Sequence, residues 1–306
     1  MKKKFKVFLI SLGILILIVL LGSAIFNYTT HKTNASLVTS GIERKYQIYV
    51  PESYDPDKSV PLIFSFHGLS GWATQHEKTS NWNALADQHG FIVVYPLGTG
   101  TPLGWKTNNK AVEESLIQAE VTFISDLIDK ISADYNIDHN RIYVNGFSNG
   151  GGMSFLLACQ LSERITAMGG VSGAYLTSWD YCQPTHPMPV IAFHGTQDEV
   201  VSYAGGPSSS FDIPFPNIPQ WAEQWAVRNE CDLNPNETLI NPQNTLTGYQ
   251  NCRSGAQVIL YSILGGGHAW PNGIPITKLF PGPVEPGLDA TGLMWEFFSQ
   301  FSLNDL

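Results

Sequence analysis

The sequence predicts an α/β fold, a mostly parallel central sheet with helices on both faces, as a single domain behind an N-terminal hydrophobic segment. Three observations predict it. Short apolar, β-branched runs alternate with longer helical patterns from Lys45 to the C-terminus. The stretch Arg141–Met153 passes from a strand pattern through a sharp turn into a helix that opens on Gly150, Gly151 and Gly152. No internal repeat and no linker-like stretch divides the body, and 306 residues suffice for one large core.

Composition narrows the partners. Hydrophobic residues are 43% of the chain and charged ones 14%, which fits a weakly charged folded body. The net charge is −9 even though Lys2, Lys3, Lys4 and Lys6 crowd the start, so the remainder is more acidic still. Nucleic acid is excluded, because neutralising phosphates takes clustered Lys and Arg and no cluster follows those lysines. Behind them, Val7 to Phe26 is an almost unbroken apolar run of bilayer-spanning length. Residues 1–26 therefore read as a signal peptide cut near Leu21–Ala24 or as an uncleaved membrane anchor. Either way the lysines stay inside and the body is exported, touching membrane only through residues 7–26 if they are retained. Residues 27–40 are polar and read as a flexible stalk, with the folded domain over 41–306. The four cysteines suit an oxidising compartment. None forms C-x-x-C and no His–Cys set has zinc spacing, so neither a metal site nor a cofactor is expected. Of the three possible pairings, Cys159–Cys182 and Cys231–Cys252 are expected, each bracketing a short excursion of the chain.

Taken in order, Lys45–Val50 alternates and reads as an edge strand closed by Pro51. Val60–Phe66 is a continuous apolar run broken only by Ser65 and ends at His67-Gly68, the pattern of a strand buried on both faces. Asn81–His89 reads as a helix, and Phe91–Tyr95 as a second buried strand stopped by Pro96. Glu113–Tyr135 is the longest helical pattern, with Leu116, Ala119, Val121, Ile124, Leu127 and Ile128 on its expected inner side. The Arg141–Val144 strand and its helix follow, then strands at Ala167–Ser172 and Pro189–Phe193. Ile218–Asn229 is helical, Gln257–Ile263 is a strand, and Asp289 caps a final helix through Phe301.

The chemistry gathers at strand ends. Gly146-Phe147-Ser148-Asn149-Gly150 matches G-x-S-x-G, in which a serine rides a tight strand-to-helix turn and its neighbours must be small. A strand running to Phe193 leads into His194-Gly195-Thr196-Gln197-Asp198, and another leads through Gly265-Gly266-Gly267 to His268. A parallel sheet collects such loops at its carboxyl edge, so Ser148, Asp198 and His268 can meet there. Ser148 is then the nucleophile, His268 the base that takes its proton, and Asp198 the carboxylate that orients the imidazole. The developing oxyanion would be held by the backbone N–H groups of Asn149, at the helix start, and of Leu69, after His67-Gly68. Asp180 and Asp212 are rival acids, but neither sits right after a strand, and Glu199, beside Asp198, is the nearest runner-up. His67 and His194, each preceding a glycine at a strand end, are expected to hydrogen-bond loops rather than to react.

With these pieces in place the chain resembles α/β-hydrolase esterases of the polyhydroxybutyrate depolymerase-like and feruloyl esterase-like kind, carbohydrate esterase family 1. The matching pieces are Phe66-His67-Gly68, Phe91–Pro96, Arg141–Gly151, His194–Asp198 and Gly267–Pro271, over most of the body from Lys45 on. The resemblance implies Ser148, Asp198 and His268 as the triad, the two disulfides above, and secretion. The family often places an Asp-Asp pair before a valine in the long helix, where this chain has Ala119-Glu120-Val121. Hydrolysis of a carboxylic ester through an acyl-enzyme follows, with hydroxycinnamoyl (feruloyl) or acetyl esters of plant polysaccharide leading and polyhydroxyalkanoate oligomers second. A non-catalytic surface-binding module on the same fold is the alternative of another class, and an intact Ser–Asp–His set speaks against it. The partner is an ester substrate, polymeric or not. Trp270, Trp72 and Trp105 are the expected substrate contacts, since aromatic walls suit a phenolic ring or a sugar face. Trp179 and Tyr203 are further candidates, and the loops Gly205–Pro219 and Pro271–Pro286 are expected at the rim.

Overall fold

The first strand is one that polar composition conceals. Ala35–Thr39 (β1) pairs antiparallel with Ile42–Tyr49 (β2), although both the stalk and the boundary at residue 41 were expected here. Ser40 and Gly41 join the strands, both at positive φ, the two-residue turn whose twist matches that of a hairpin. Leu37 supplies the apolar contact with the core, and the Asn34 side chain bonds both ways to the backbone of Ile48. The computed structural model describes residues 11, 12, 14–19, 22, 30–209, 212–273 and 287–306. The expected targeting segment over residues 1–26 falls largely outside these, as do residues 274–286 of the expected rim. Among the described residues no helix is long and apolar enough to cross a membrane.

Val60–Phe66 (β3) is buried at every position, as a strand covered on both faces must be. Two helices follow, Ala73–Ser80 (α1) and Trp82–His89 (α2), separated by Asn81 in a left-handed conformation. Only the second was legible in the sequence; α1 is polar, with Ala73 its one buried apolar side chain. Ile92–Pro96 (β4) and the helix Glu114–Asp134 (α3) come next. In α3 the buried stripe runs through Ile117, Glu120, Val121, Ile124, Leu127 and Ile128, while Leu116 is 47% exposed, contrary to its expected inner position. The buried carboxylate of Glu120 is paired with Arg44 at 2.8 Å, and Arg44 also lies over the Phe123 ring.

Ile137–Phe147 (β5), Asn149–Gln160 (α4), Ala167–Val171 (β6), Val190–Gly195 (β7) and Ile218–Arg228 (α5) continue the alternation. The hairpin Asn236–Asn241 (β8) and Asn244–Tyr249 (β9) was read only as a polar excursion. Its outer strand is exposed along most of its length, so it carries no apolar pattern to detect. Val258–Ile263 (β10) and Ala290–Phe298 (α6) complete the fold, with the Asp289 side chain accepting the Gly292 N–H as the expected cap.

The sheet order is β1-β2-β4-β3-β5-β6-β7-β10-β9-β8. From β4 through β10 every neighbouring pair is parallel, and antiparallel strands close both ends. One face packs against α3, α4 and α5, where Tyr175 stacks on Trp221 at 3.6 Å and Phe155 meets Trp225 edge-on. The other face is covered by α1, α2 and α6, with Trp82 stacked on Phe298. Cys159–Cys182 ties the end of α4 to the loop before β7, and Cys231–Cys252 closes the excursion that contains β8 and β9, as expected.

Candidate active site

Ser148 lies between β5 and α4 at φ 55°, ψ −119°, a region costly for any residue with a side chain by about 1–3 kcal/mol. The turn is held by its surroundings. The Ser148 N–H donates to Val171 O, and its carbonyl accepts from Gly152 and Ala174. The chain on either side passes so close to backbone that only glycine fits. A Cβ at Gly146 would meet Gly150 O at 2.3 Å, and one at Gly150 would meet Phe66 O at 2.2 Å. The strain therefore belongs to the elbow and is enforced by packing.

Asp198 and His268 leave adjacent parallel strands, since Gly195 of β7 pairs with Ile263 of β10. Their loops are laced together: Thr196 N donates to Ile263 O, Gln197 N to Gly266 O, and Gly265 N to Thr196 Oγ1. This places His268 Nδ1 2.8 Å from Asp198 Oδ2. A carboxylate only accepts, so Nδ1 carries the proton and the lone pair of the neutral ring sits on Nε2. The other carboxylate oxygen, Oδ1, accepts the N–H groups of Val200 and Val201 at 2.9 and 2.8 Å. Burial opposes the charge on Asp198, yet hydrogen bonds from His194 and His268 outweigh it and hold the carboxyl well below the usual range. The His268 ring reaches back across the sheet to 4.8 Å from the Phe147 ring, beside the elbow.

Ser148 and His268 both line a cavity of about 350 Å³. Leu69, Leu176, Val200, Val201, Ile213 and Phe215 make its walls predominantly apolar. Leu69 and Asn149 lie at the same cavity, with the Asn149 N–H in the first turn of α4, where helix N–H groups lack intrahelical acceptors. The Asn149 side chain has a different task. It accepts from Trp105 N at 2.7 Å and donates to Trp105 O at 3.1 Å, clamping the loop after β4 to the elbow. His67 fixes the neighbouring loop: its Nδ1 bonds to Gly68 O and its Nε2 accepts from Gly98 N. Burial lowers its pKa from 6.5 to about 4, so it is a neutral spacer, as its position before a glycine suggested.

Residues 44–182 match the family described as esterase PHB depolymerase. Feruloyl esterase B of Piromyces equi is 32% identical over 269 residues, covering 85% of this chain and 46% of that protein. The bifunctional acetylxylan esterase/xylanase of Neocallimastix patriciarum is 31% identical over 163 residues, 53% of this chain and 22% of that protein. The chain thus spans about half the length, or less, of these two relatives. Among solved structures, a CE1 ferulic acid esterase from Anaeromyces mucronatus superposes with a TM-score of 0.54 at 15% identity, over 90% of this chain and 96% of that one. An acetyl xylan esterase from Aspergillus awamori superposes with a TM-score of 0.56 at 18% identity, over 74% and 89%. These superpositions show an α/β-hydrolase fold. The chain is similar to esterases of the polyhydroxybutyrate depolymerase-like and feruloyl esterase-like family.

The expected aromatic contacts are not among the described residues that line the cavity. Trp105 is buried, donates its Nε1–H to His67 O at 2.9 Å and meets Phe66 edge-on. Trp270 is buried too, donates to Thr291 Oγ1 at 3.0 Å and packs against His76. Trp72 is half-buried at the start of α1, against the core on that face. A buried indole N–H is stabilised by an acceptor, and Trp105 finds one in a loop carbonyl and Trp270 one in a helix hydroxyl. Trp179 packs on Phe155 and under Arg228, and Tyr203 bonds to Ser262, both also away from the cavity. What sequence reading missed is the apolar wall itself. Its signal was present in Val200-Val201, which begin two residues after the acid, and in Ile213 and Phe215 within the expected rim loop.

Proposed function

We propose that this chain is an exported serine esterase that cleaves carboxylic esters through an acyl-enzyme. The observation that carries the reading is the 2.8 Å contact of His268 Nδ1 with Asp198 Oδ2, with His268 and Ser148 on one apolar cavity. Ester carbonyl carbon is attacked by Ser148 Oγ while His268 Nε2 takes the hydroxyl proton; the imidazolium is stabilised by ionised Asp198. The oxyanion is held by the N–H groups of Leu69 and Asn149, each worth about 2.7–4 kcal/mol in the barrier if such a donor is lost. The imidazolium then protonates the departing alcohol, and water repeats the sequence on the acyl-serine. Two disulfides and the apolar N-terminal run support an oxidising, extracytoplasmic setting.

Hydroxycinnamoyl or acetyl esters of plant polysaccharide are the leading substrates. The relatives are called feruloyl and acetylxylan esterases, and a cavity near 350 Å³ is at the lower end of those that enclose a ring-sized group. It far exceeds the needs of an acetyl group, which ranks the hydroxycinnamoyl reading first. A short hydroxyalkanoate would fit the same apolar walls, so polyhydroxyalkanoate oligomers are the second reading. Initial rates on methyl ferulate, acetylated xylan and 3-hydroxybutyrate oligomers separate them. Methyl ferulate should give the highest kcat/KM, and a tenfold preference for the oligomers would reverse the order.

A further inference from the structure

His194 is a buried titratable side chain that the mechanism above leaves unused. It sits near the end of β7, 1% exposed, four residues before Asp198. Its Nε2 is 2.9 Å from Val201 O and 3.3 Å from Asp198 Oδ2. A carbonyl accepts only, so Nε2 carries the hydrogen and points it between the carbonyl and the carboxylate. The lone pair then lies on Nδ1, which is buried with no hydrogen-bond partner among the described residues. An apolar ring of the same shape would avoid that desolvation cost, so the fold keeps a destabilising nitrogen at this place in order to keep Nε2–H.

We infer that His194 is a positioning residue for Asp198: its Nε2–H locks the 198–201 turn and shares carboxylate Oδ2 with His268 Nδ1. The geometry closes a small ring. Val201 N donates to Asp198 Oδ1, Val201 O accepts from His194, and His194 leans on Oδ2. The carboxylate plane is thereby fixed from both oxygens, and His268 meets an acceptor that is already partly engaged. A carboxylate oxygen that accepts a second hydrogen bond attracts the first donor less, so His194 tempers how strongly Asp198 favours the His268 imidazolium. Among the described residues, the groups that face this pair are few. Asp198 is contacted by His194 and His268. His194 is contacted by Asp198 and, at 5.9 Å between ring centroids, by Tyr203, whose hydroxyl bonds to uncharged Ser262. Ser262 of β10 is also the residue paired with His194 across the sheet.

This inference rests on His268 being the base in the proposed esterase, so its test carries a Ser148→Ala control. Gln sets an amide N–H where imidazole has Nε2, whereas Asn is one bond too short to reach Asp198. His194→Gln should keep kcat within about threefold of wild type, while His194→Asn should lose on the order of tenfold in kcat with KM little changed. The acid limb of kcat/KM should move to higher pH in His194→Asn and stay in place in His194→Gln, each on protein whose circular dichroism is unaltered. Coincident kcat values and acid limbs for the two variants would overturn the inference. So would a folded His194→Gln that by itself loses tenfold. A Ser148→Ala protein that still turns over the ester removes the esterase reading itself; an inactive one alongside coincident His194 variants removes only the role of His194.

Discussion

The cavity wall sets how the rate should depend on the acyl group. Ala174 is 6% exposed and lies on that wall with Val201 and Phe215, and all three belong to a small apolar cluster separate from the two main cores. Each methylene moved from water onto such a wall contributes about 0.8 kcal/mol, or roughly fourfold in kcat/KM if realised in the transition state. Going from acetate to hexanoate buries four methylenes, so the gain should approach about 3 kcal/mol, on the order of a hundredfold. Ala174→Leu places three further carbons in the same space. It should reduce p-nitrophenyl hexanoate kcat/KM by tenfold or more and leave acetate within about twofold, because overpacking costs about 1–3 kcal/mol only where the longer chain must lie. Initial rates on acetate, butyrate and hexanoate esters, for wild type and variant, give all the numbers needed. An activity that is flat across the series, or a variant that slows all three esters equally, would refute the placement of the acyl group.

Three further outcomes follow from the structure. Glu120→Ala leaves Arg44 buried without its partner, since the two side chains are only 3% and 7% exposed. Breaking such a pair costs about 3–5 kcal/mol, so thermal melting should fall by roughly 6–20 °C, and Arg44→Met with Glu120→Met should recover much of it. A change within about 2 °C for the single variant would contradict a buried pair of that strength. Each disulfide closes a loop of just over twenty residues (separations of 23 and 21) and should contribute about 3 kcal/mol by constraining the unfolded chain. Cys231→Ser with Cys252→Ser should lower the urea midpoint accordingly, and an unchanged midpoint would count against this. Acid should destabilise the fold through two histidines. Burial lowers the pKa of His67 to about 4 and of His76 to about 3 from an ordinary 6.5. The unfolded chain takes up these protons first, so stability falls as pH drops below 6.5, by about 2 kcal/mol from each by pH 5. Asp198 acts in the same direction over a lower window: its depressed carboxyl contributes stability that is full above the unfolded value of 3.8 and is lost as pH falls below that. Urea midpoints that agree at pH 7 and pH 5 would rule out buried neutral histidines.

The parts of the fold legible in the sequence are those where burial forces a pattern. β3 and β4 are buried at every position, and apolar apart from Ser65, because helices cover both of their faces, and the elbow is legible because Gly146 and Gly150 admit no other residue. β1, β8 and α1 were hidden for the opposite reason: they lie at sheet edges or carry polar surfaces, where hydrogen bonding rather than hydrophobic period holds them. Asp198 and His268 were readable as strand-end residues, but their meeting depends on β7 and β10 being neighbours, which chain order alone does not specify. The tryptophans misled because loop aromatics near a reactive residue can face either way. The acceptors that took their N–H groups, His67 O and Thr291 Oγ1, come from distant parts of the chain. Glu120 finds its partner in Arg44 of β2, across 76 positions of sequence, a pairing that no local pattern reveals.

The most direct measurement is covalent. Wild-type protein treated with a p-nitrophenyl alkylphosphonate, digested and analysed by mass spectrometry should carry the phosphonyl group on the Ile142–Arg164 tryptic peptide at Ser148, with activity lost in proportion to labelling. Ser148→Ala should be unlabelled and inactive toward p-nitrophenyl butyrate while melting as wild type does. A folded Ser148→Ala protein with wild-type turnover, or a label on another residue that tracks inactivation, would contradict the account.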